Sequence, residues 1–524
     1  RETDDLFVRS PDMTTILSSV KFSGTTSGGL SVGLVESVTG NEFARISDED
    51  GNRSSVKVEP LTNYTVARIQ KGYNAGTTVI GGMLTSTNRV IKDEQLEFLP
   101  TDALTGGLDL IHRFRDKEFY VDASLVGSYV KGSREAMDLL QRSSARYYQR
   151  PGAGYLGYDT SRTSLGGYGG KIRIGKGSKG FWRYSTGVNW LSPGLELNDL
   201  GYMRTADEIE QENELSYFVN QPVSIFRSYN VTLDQFNKWN FNGTYLGSGA
   251  RLSFSSGFMN QWNFSTNLIF NGRSTDTRIL RGGYNMLVPS SFMSSWSLRT
   301  DPSKNVTGRL GFSYDRSGNN AGSGYAFEPS ITVRPFDMLR FVLSGTYERN
   351  TNELQYVGVR NYLDDYRFIL GRMDQKTLGL TLRVDLNITP EFSVQYYGSP
   401  FISRGTYSDF KRVTDPLADD YNSRFSVFSD PVIQSDNSYA LDENNDMIID
   451  YTIGNPDFNF HEFRSNLVAK WEYRPGSYLY LVWSSDRSGR TADSRASVGE
   501  SYSQLRDVFP GNIFLIKLNY WFSL

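Results

Sequence analysis

The chain has no cysteine and only two histidines, His112 and His461. The absence of cysteine excludes disulfide frameworks, thiolate metal sites and cysteine nucleophiles. It also suits a chain that crosses an oxidising compartment without forming unwanted pairs. Two histidines leave little imidazole chemistry for catalysis or for metal binding.

Excess charge and long apolar runs are also missing. The 55 Lys and Arg residues against 58 Asp and Glu residues give a formal charge of -3, so nothing marks a nucleic-acid-binding surface and no nucleic-acid partner is expected. The mean hydropathy is -0.44, and no 18 consecutive residues are apolar, which excludes helical membrane spans. The chain opens at Arg1 with neither an initiator Met nor a signal-like segment, so we expect it to be part of a longer precursor.

Aromatic residues are abundant, with 32 Phe, 32 Tyr and 8 Trp, and many lie in segments where every second residue is apolar. From Phe514 to Leu524 the alternate positions are Phe, Ile, Leu, Tyr, Phe and Leu. The same period of two recurs at 306–314, 339–347, 378–388 and 463–473, with charged or polar residues in between. The alternation predicts strands that cross a membrane in about 9 to 11 residues, with one face toward lipid.

The connections support an outer-membrane barrel, in which periplasmic turns are short and extracellular loops are long. Short links fall at 25–28, 72–76, 176–180, 301–304, 335–337, 389–390 and 474–477. Long links of the opposite parity fall at 39–60, 87–102, 131–163, 273–291, 404–460 and 487–510. The predicted fold is therefore all-β: one transmembrane antiparallel β-barrel domain spanning residues 1–524, in the bacterial outer membrane.

We predict about 24 strands, within a range of 20 to 26, because strand boundaries read from sequence shift by several residues. The first clear strand, near 15–23, runs inward. An even-numbered barrel with a periplasmic N-terminus then needs one more strand, which either residues 5–9 supply or the chain upstream of Arg1 supplies. We also expect the last strand to pair with the most N-terminal one, since an open edge in hydrocarbon is costly.

The 131–163 loop contains a predicted short helix at 134–143, with Ser133 as its N-cap. In one interpretation the segment carries Arg142, Arg146 and Arg150 toward an anionic ligand. In the other, it packs on the barrel mouth and its arginines are solvated or bridge phosphates of lipopolysaccharide.

The 404–460 loop, extracellular or lumenal, contains Asp442, Asn444, Asp446 and Asp450, whose spacing offers oxygen ligands to Ca²⁺. A complete EF-hand is not expected, because Met447 replaces the glycine and Ile453 replaces the final Glu. A loose calcium site and a plain acidic turn are the two interpretations. A ring of this size conducts or is blocked, by inward-folded loops or by the domain upstream of Arg1, and this longest link is the best candidate among the loops. In the other interpretation, the link is a surface cap that shields the barrel mouth.

The sequence carries no phosphate-binding glycine loop and no HExxH zinc motif. Known barrel hydrolases need a His beside a Ser or Asp, and we interpret His112 and His461 as ordinary polar residues of strands. A carboxylate pair for glycoside hydrolysis stays open, because the spacing of carboxylates on a barrel is not readable from sequence. We therefore predict a non-enzymatic protein without an established cofactor, with an outer-membrane glycan or lipid hydrolase as an alternative.

Several strings resemble a family of Bacteroidota outer-membrane proteins whose C-terminal domain of unknown function follows a carbohydrate-binding module of the family 9 type. They are 141–151 (QRSSARYYQRP), 192–201 (SPGLELNDLG), 372–377 (RMDQKT), 455–460 (NPDFNF) with 464–466 (RSN), and 471–476 (WEYRPG). The resemblance runs over nearly the whole chain. It implies an outer-membrane location and a sugar-binding domain upstream of Arg1, and it supplies no catalytic residues.

The expected function is a barrel that anchors or cooperates with that glycan-binding domain in uptake, export or envelope assembly. The alternative class is a TonB-dependent-type receptor barrel without its plug. Expected partners are outer-membrane lipid and lipopolysaccharide, a glycan ligand through the upstream domain, and other outer-membrane or periplasmic proteins.

Overall fold

The computed structural model describes residues 2–3, 6–11, 13–48, 50–429 and 431–521. Of the helices in this part of the chain, none has the length and apolar composition needed to cross a membrane. By their internal contacts the residues form two compact units. Unit 1 comprises 1–217, 234–248 and 275–286, and unit 2 comprises 218–233, 249–274 and 287–524.

The first half of the chain is built from strands joined by turns, with one helix. The strands are β1 Glu2–Thr3, β2 Leu6–Arg9, β3 Ile16–Thr25, β4 Leu30–Thr39, β5 Glu42–Asp48, β6 Arg53–Glu59, β7 Thr62–Tyr73, β8 Thr78–Arg89, β9 Asp102–Phe114, β10 Phe119–Lys131, β11 Ser164–Lys176, β12 Trp182–Leu191, β13 Glu208–Val219, β14 Phe226–Trp239 and β15 Tyr245–Phe258. Helix α1, Arg134–Gln141, lies between β10 and β11. Short 3-10 turns occupy Glu94–Leu96 and Gly154–Leu156.

The second half continues the pattern with longer strands. They are β16 Asn263–Asn271, β17 Ser274–Asp276, β18 Met286–Val288, β19 Ser291–Arg299, β20 Val306–Ser317, β21 Gly322–Phe336, β22 Leu339–Tyr362, β23 Asp365–Asn387, β24 Phe392–Val413, β25 Phe425–Val427, β26 Val432–Ile433, β27 Tyr439–Leu441, β28 Tyr451–Ile453, β29 Phe458–Arg474, β30 Ser477–Thr491 and β31 Gly511–Asn519. Helix α2, Val498–Asp507, precedes β31. Short 3-10 turns occupy Gly318–Asn320 and Asn422–Arg424.

In the described part of the chain, 22 of these strands belong to one antiparallel sheet of the barrel type. The predicted fold class is confirmed, and the strand number falls below the expected 24 but inside the predicted range. One of the 22 is β25, a three-residue strand that pairs only with the end of β24. The pairing of the last strand with the first stays a prediction.

Residues 6–9 do not supply a barrel strand, so that alternative is wrong. Strand β2 pairs with β5, and β5 pairs with β6 in a separate four-stranded sheet. The connection between β4 and β7 forms its own hairpin of β5 and β6, and β2 pairs with the free edge of β5 instead of with a barrel strand. An additional strand upstream of Arg1 stays a prediction.

The ladders of unit 2 place the apolar residues of neighbouring strands side by side. Leu382 faces Leu343 on β22 and Gly398 on β24, and Leu467 faces Tyr396 and Trp483. Charged and polar residues occupy the alternate positions, where Asn466 donates to Ser484 at 3.0 Å. The division of faces agrees with the predicted alternation. Because a charged side chain in hydrocarbon costs about 2–4 kcal/mol at mid-membrane, the apolar face is the one suited to lipid.

Strands β22, β23 and β24 are 24, 23 and 22 residues long. This is about twice the 9 to 11 residues that cross a bilayer, so roughly half of each strand extends beyond it. The sequence-predicted link at 404–460 is therefore shorter in the structure: β24 continues to Val413 and β29 begins at Phe458.

Candidate functional site

The charged face of unit 1 carries a row of ion pairs between neighbouring and next-neighbouring strands. Lys171 Nζ lies 2.7 Å from Asp122 Oδ2, and Arg173 pairs with Glu212. Arg68 pairs with Asp109, with an Nη2 to Oδ1 distance of 2.8 Å. Each of these cations has an anion beside it, so the row presents polar groups with little net charge.

Two of these pairs reach across an intervening strand, and a glycine lies at each crossing. Arg68 on β7 and Asp109 on β9 meet over Gly81 of β8, where a Cβ atom would collide with the guanidinium and lie 2.7 Å from both carboxylate oxygens. Gly187 occupies the same position between Arg173 and Glu212. Any larger residue at Gly81 would displace the pair.

The link of residues 192–207, between β12 and β13, folds onto this charged face. The backbone of Leu195 lies directly over Gly167 of β11, where a Cβ atom would collide with the Leu195 nitrogen. The Glu196 amide donates to Ser128 Oγ at 2.9 Å, and Leu195 is fully buried. Because Gly167 and Ser128 are register partners on the charged face, the link covers the sheet instead of projecting away from it.

A buried ion pair fixes the beginning of the link. Arg146 Nη2 lies 2.7 Å from Glu196 Oε2, and the same guanidinium donates to the Leu195 carbonyl. Both side chains are buried, with exposed fractions of 0% and 4%. Removing one partner of such a pair leaves an uncompensated charge, which costs about 3–5 kcal/mol.

A second buried cluster fixes the end of the link. Arg150 Nη2 lies 2.9 Å from Asp207 Oδ2 and donates to the Tyr155 hydroxyl at 2.7 Å. The Tyr155 hydroxyl in turn donates to Asp207. Burial, together with that hydrogen bond to Asp207, raises the pKa of Tyr155 far above its ordinary value, so the hydroxyl keeps its proton. The Asp207 side chain also accepts from the Phe241 amide at 3.0 Å.

The three arginines predicted to bind an anion do not converge on one surface. Arg142, at the end of α1, is exposed and lies 3.4 Å from Asp138. The guanidinium groups of Arg146 and Arg150 are instead engaged by carboxylates of the chain. Anion binding by the three residues stays a prediction, but for two of them the described contacts give a structural role that the sequence did not indicate.

Two cavities flank the middle of the link. The outer one, about 560 Å³, is lined by Arg89, Asp199 and Arg204 among others. The inner one, about 300 Å³, lies against Arg68, Asp109 and the hydroxyl-bearing strands. Tyr202 lines both cavities and is 79% exposed. An ion pair of 2.8 Å between Arg89 and Asp199 attaches this middle section to β8. The side chain of Tyr202 thus stands at the boundary between the two spaces.

In unit 2 the long link 414–457 builds a small core of its own on the strand extensions. Ile369 and Phe410 from β23 and β24 pack with Phe428, Leu441 and Ile453 from the link. The link also contains a three-stranded sheet of β26, β27 and β28. In this core the link packs against the ends of β22, β23 and β24 that lie near Tyr362, Asp365 and Val413. Occlusion of the barrel by this link stays a prediction.

Charged contacts strengthen this attachment. Glu443 lies 3.0 Å from both Arg367 and Arg412, and it accepts from the Tyr451 hydroxyl at 2.8 Å. Arg424, almost fully buried, donates to the carbonyl of Leu287 at 2.9 Å. The link is therefore joined both to the strand extensions and to the connection that precedes β19.

The four residues predicted as calcium ligands form a turn that is stabilised by its own backbone. Asp442 Oδ2 accepts from the Met447 amide at 2.7 Å, and Asp446 Oδ1 accepts from the Ile448 amide at 2.8 Å. Asn444 donates to Asp446 at 3.0 Å, and Asp450 Oδ2 accepts from the Glu443 amide at 2.6 Å. In the described part of the chain, no three His, Asp or Glu side chains lie close enough together to hold a metal ion. Calcium binding stays a prediction.

The link 192–207 is a candidate functional feature that the sequence did not predict, because it is absent from the predicted long links. A signal was present: Ser192-Pro-Gly interrupts the alternation after β12, and the string 192–201 contains no further period of two. The partner residues were not readable, since Arg146 and Glu196 lie far apart in sequence.

Comparison with known proteins gives a family and only distant structural likenesses. A family model described as a domain of unknown function (DUF5916) matches residues 1–523. No curated protein matches the chain. A BenF-like porin from Pseudomonas fluorescens Pf-5 aligns with a TM-score of 0.36 and 9% identity, covering 72% of this chain and 94% of the porin. The FrpB iron transporter from Neisseria meningitidis, in the apoprotein form of its F5-1 variant, aligns with a TM-score of 0.39 and 11% identity, covering 97% of this chain and 81% of the transporter. Likenesses this low add nothing to the assignment of function.

Proposed function

The chain belongs to the family described as a domain of unknown function (DUF5916), and we propose that it is a non-enzymatic outer-membrane barrel that passes small polar solutes along the charged face of unit 1. The observation that supports the proposal is the link 192–207, which lies on that face between two cavities. Buried ion pairs at both ends of the link fix its position. The link, held in this position, narrows the proposed path along the charged face and leaves it open.

The apolar rows support an outer-membrane location. Large apolar side chains such as Leu382, Leu481 and Phe514 are exposed, and on β30 and β31 they pair across the strands as Leu481 with Ile516 and Trp483 with Phe514. Such apolar rows are unfavourable in water but suit lipid. Outer-membrane lipid and lipopolysaccharide are therefore the expected surroundings. Charged residues on the alternate positions then face the interior, where they meet water and solute.

The charge balance of the path indicates the class of solute. The pairs Arg68–Asp109, Lys171–Asp122 and Arg173–Glu212 leave no surplus of either sign. The same face also carries Glu208, Glu210 and Glu214 on β13, and Lys238 pairs with the first two. A strong field concentrates ions of one sign, and the section of the path at the three pairs lacks such a field. We therefore assign it to uncharged or zwitterionic polar solutes.

We further propose that the solutes of this path are glycans. The resemblance to Bacteroidota proteins with a family 9 carbohydrate-binding module supports an upstream sugar-binding domain that delivers or receives the solute. Uptake, export and envelope assembly are all compatible with a barrel that works together with such a domain. The plugless receptor and the hydrolase stay alternatives.

Single-channel conductance in planar bilayers tests the proposal. Tyr202→Ala, which removes the ring between the cavities, is expected to raise the conductance. Tyr366→Ala removes a comparably exposed ring from the end of β23 and serves as the matched control, with no expected change. If Tyr202→Ala and a variant with residues 198–203 replaced by glycines both conduct like the intact chain, the link does not lie on the path.

A further inference from the structure

The inner cavity beneath the link has the groups of a binding site as well as those of a passage. Its polar lining residues are the Arg68–Asp109 pair, Thr85, Thr105, Ser124 and Tyr202. Apolar residues complete the lining: Met83, Leu108, Leu125, Val126, Leu197 and Leu200. Its volume is about 300 Å³, which is the lower end of the range for small-molecule sites. The strand residues share one face, because Thr85 pairs with Thr105 and Asp109 pairs with Ser124.

The ion pair in this cavity is accessible to a ligand. The side chains of Arg68 and Asp109 keep 36% and 29% of their surface exposed. Each group has donors or lone pairs beyond those used in the pair, since a guanidinium has five N–H donors and a carboxylate about four acceptor sites. A ligand can therefore add hydrogen bonds to both without separating them.

The pairing also restricts the charge of the ligand. An anion at Arg68 meets the neighbouring carboxylate, and a cation at Asp109 meets the neighbouring guanidinium, so a full charge of either sign is opposed. An uncharged ligand with adjacent hydroxyl groups avoids this opposition, because one hydroxyl donates to Asp109 while the next accepts from Arg68. Its other hydroxyls find partners in Thr85, Thr105 and Ser124.

Tyr202 supplies the remaining wall. Tyr202 is exposed, belongs to the link and lines the cavity together with the strand residues. An amphipathic ligand, with C–H groups on one side and hydroxyls around its edge, matches a lining that combines an aromatic ring and apolar side chains with hydrogen-bonding groups.

We propose that the inner cavity binds an uncharged polyhydroxyl solute of monosaccharide size, with Asp109 and Arg68 as its hydrogen-bonding floor and Tyr202 as its wall. This inference rests on the proposed function, since it names the solute class of the same path. Gly81 is part of the site, because its lack of a side chain gives the ion pair room.

Binding is measured without conduction, by saturation-transfer NMR on the full chain in detergent micelles with D-glucose as the probe. D-glucuronate and D-glucosamine have the same ring with a charge of either sign. We expect glucose to bind at least severalfold more tightly than either charged analogue. Tyr202→Ala and Asp109→Asn should each weaken glucose binding about tenfold, the loss expected when a hydrogen bond to a charged group or a stacking wall is removed. Tyr366→Ala is the control and should bind glucose like the intact chain.

Three results would overturn the proposal: no glucose binding to the intact chain, equal or tighter binding of a charged analogue, or unchanged glucose binding in Tyr202→Ala. The exposed Tyr202 variant keeps the test valid even if Asp109→Asn fails to fold. Conductance is read separately. Glucose binding in a barrel that does not conduct would contradict the proposed function and leave the binding site standing. Conduction without glucose binding would contradict the binding site and leave the proposed function standing.

Discussion

Two long links of the chain contact the strands in different ways. The link 192–207 of unit 1 lies flat on the charged face of β10 and β11, and buried ion pairs to the segment after α1 hold it there. The link 414–457 of unit 2 is longer, but it forms a small sheet and an apolar core on the extensions of β22 to β24. In the proposed function, contact with the charged face of the strands, and not the length of a link, is what places an element on the solute path.

The largest expected effect comes from breaking the anchor of the first link. Arg146→Ala leaves the Glu196 carboxylate buried without its cation, which should destabilise the folded state by about 3–5 kcal/mol. Thermal unfolding followed by circular dichroism measures the loss, and hydrogen exchange should show faster exchange in residues 192–207. Arg142→Ala is the matched control. Its exposed side chain should contribute less than about 1 kcal/mol, and equal losses in the two variants would show that Arg146 is not an anchor.

The difference between the two links also depends on where the membrane ends along β22 and β23. Leu382→Arg places a charge in the apolar row and should destabilise the inserted barrel by about 2–4 kcal/mol. Leu363→Arg places the same charge at the tip between those strands, where Leu363 is 76% exposed, and should be close to neutral. Unfolding by urea in lipid vesicles gives both values. A neutral Leu382→Arg would mean that the apolar row does not face lipid.

A smaller effect is expected for the anchor of the second link. Glu443→Gln weakens the ion pairs with Arg367 and Arg412, at a cost of about 1–3 kcal/mol in local opening. Hydrogen exchange should rise in 439–453 while conductance stays unchanged. If the same variant changed conductance, the link 414–457 would belong to the path, and the distinction between the two links would fail.

The smallest effect concerns calcium. If the turn 442–450 binds Ca²⁺ with a dissociation constant of about 1 mM, then 1 mM Ca²⁺ stabilises it by about 0.4 kcal/mol. Such binding would slow hydrogen exchange slightly in 442–450 of the intact chain, and the change should vanish in Asp446→Asn. Identical exchange with and without Ca²⁺ would favour the plain acidic turn.

The fold was readable from the sequence where one local rule governs many residues. Alternation at 463–473 or 378–388 reports two different environments on the two faces of a strand, and it needs no knowledge of distant partners. The same rule placed the start of the 404–460 link too early, because β24 continues to Val413 through residues 404–413, in which apolar and polar residues no longer alternate. No sequence feature marks where the lipid ends within such a strand.

The site was less readable, because it depends on pairs that are far apart in the chain. The string containing Arg146 and Arg150 was recognised as basic, but its acidic partners Glu196 and Asp207 come from another connection. Arginines in a loop look available for a ligand until the fold shows which carboxylates they meet. The Arg68–Asp109 pair was hidden for the same reason, and only the glycine between them allows it.

The proposed solute path passes Tyr202, and chemical modification of that position tests this claim most directly. The chain has no cysteine, so Tyr202→Cys provides a single reactive thiol. Its modification by a bulky water-soluble thiol reagent during a planar-bilayer recording should lower the conductance of open channels, while modification of Tyr366→Cys should leave it unchanged. Unchanged conductance after complete modification of Tyr202→Cys would contradict the account.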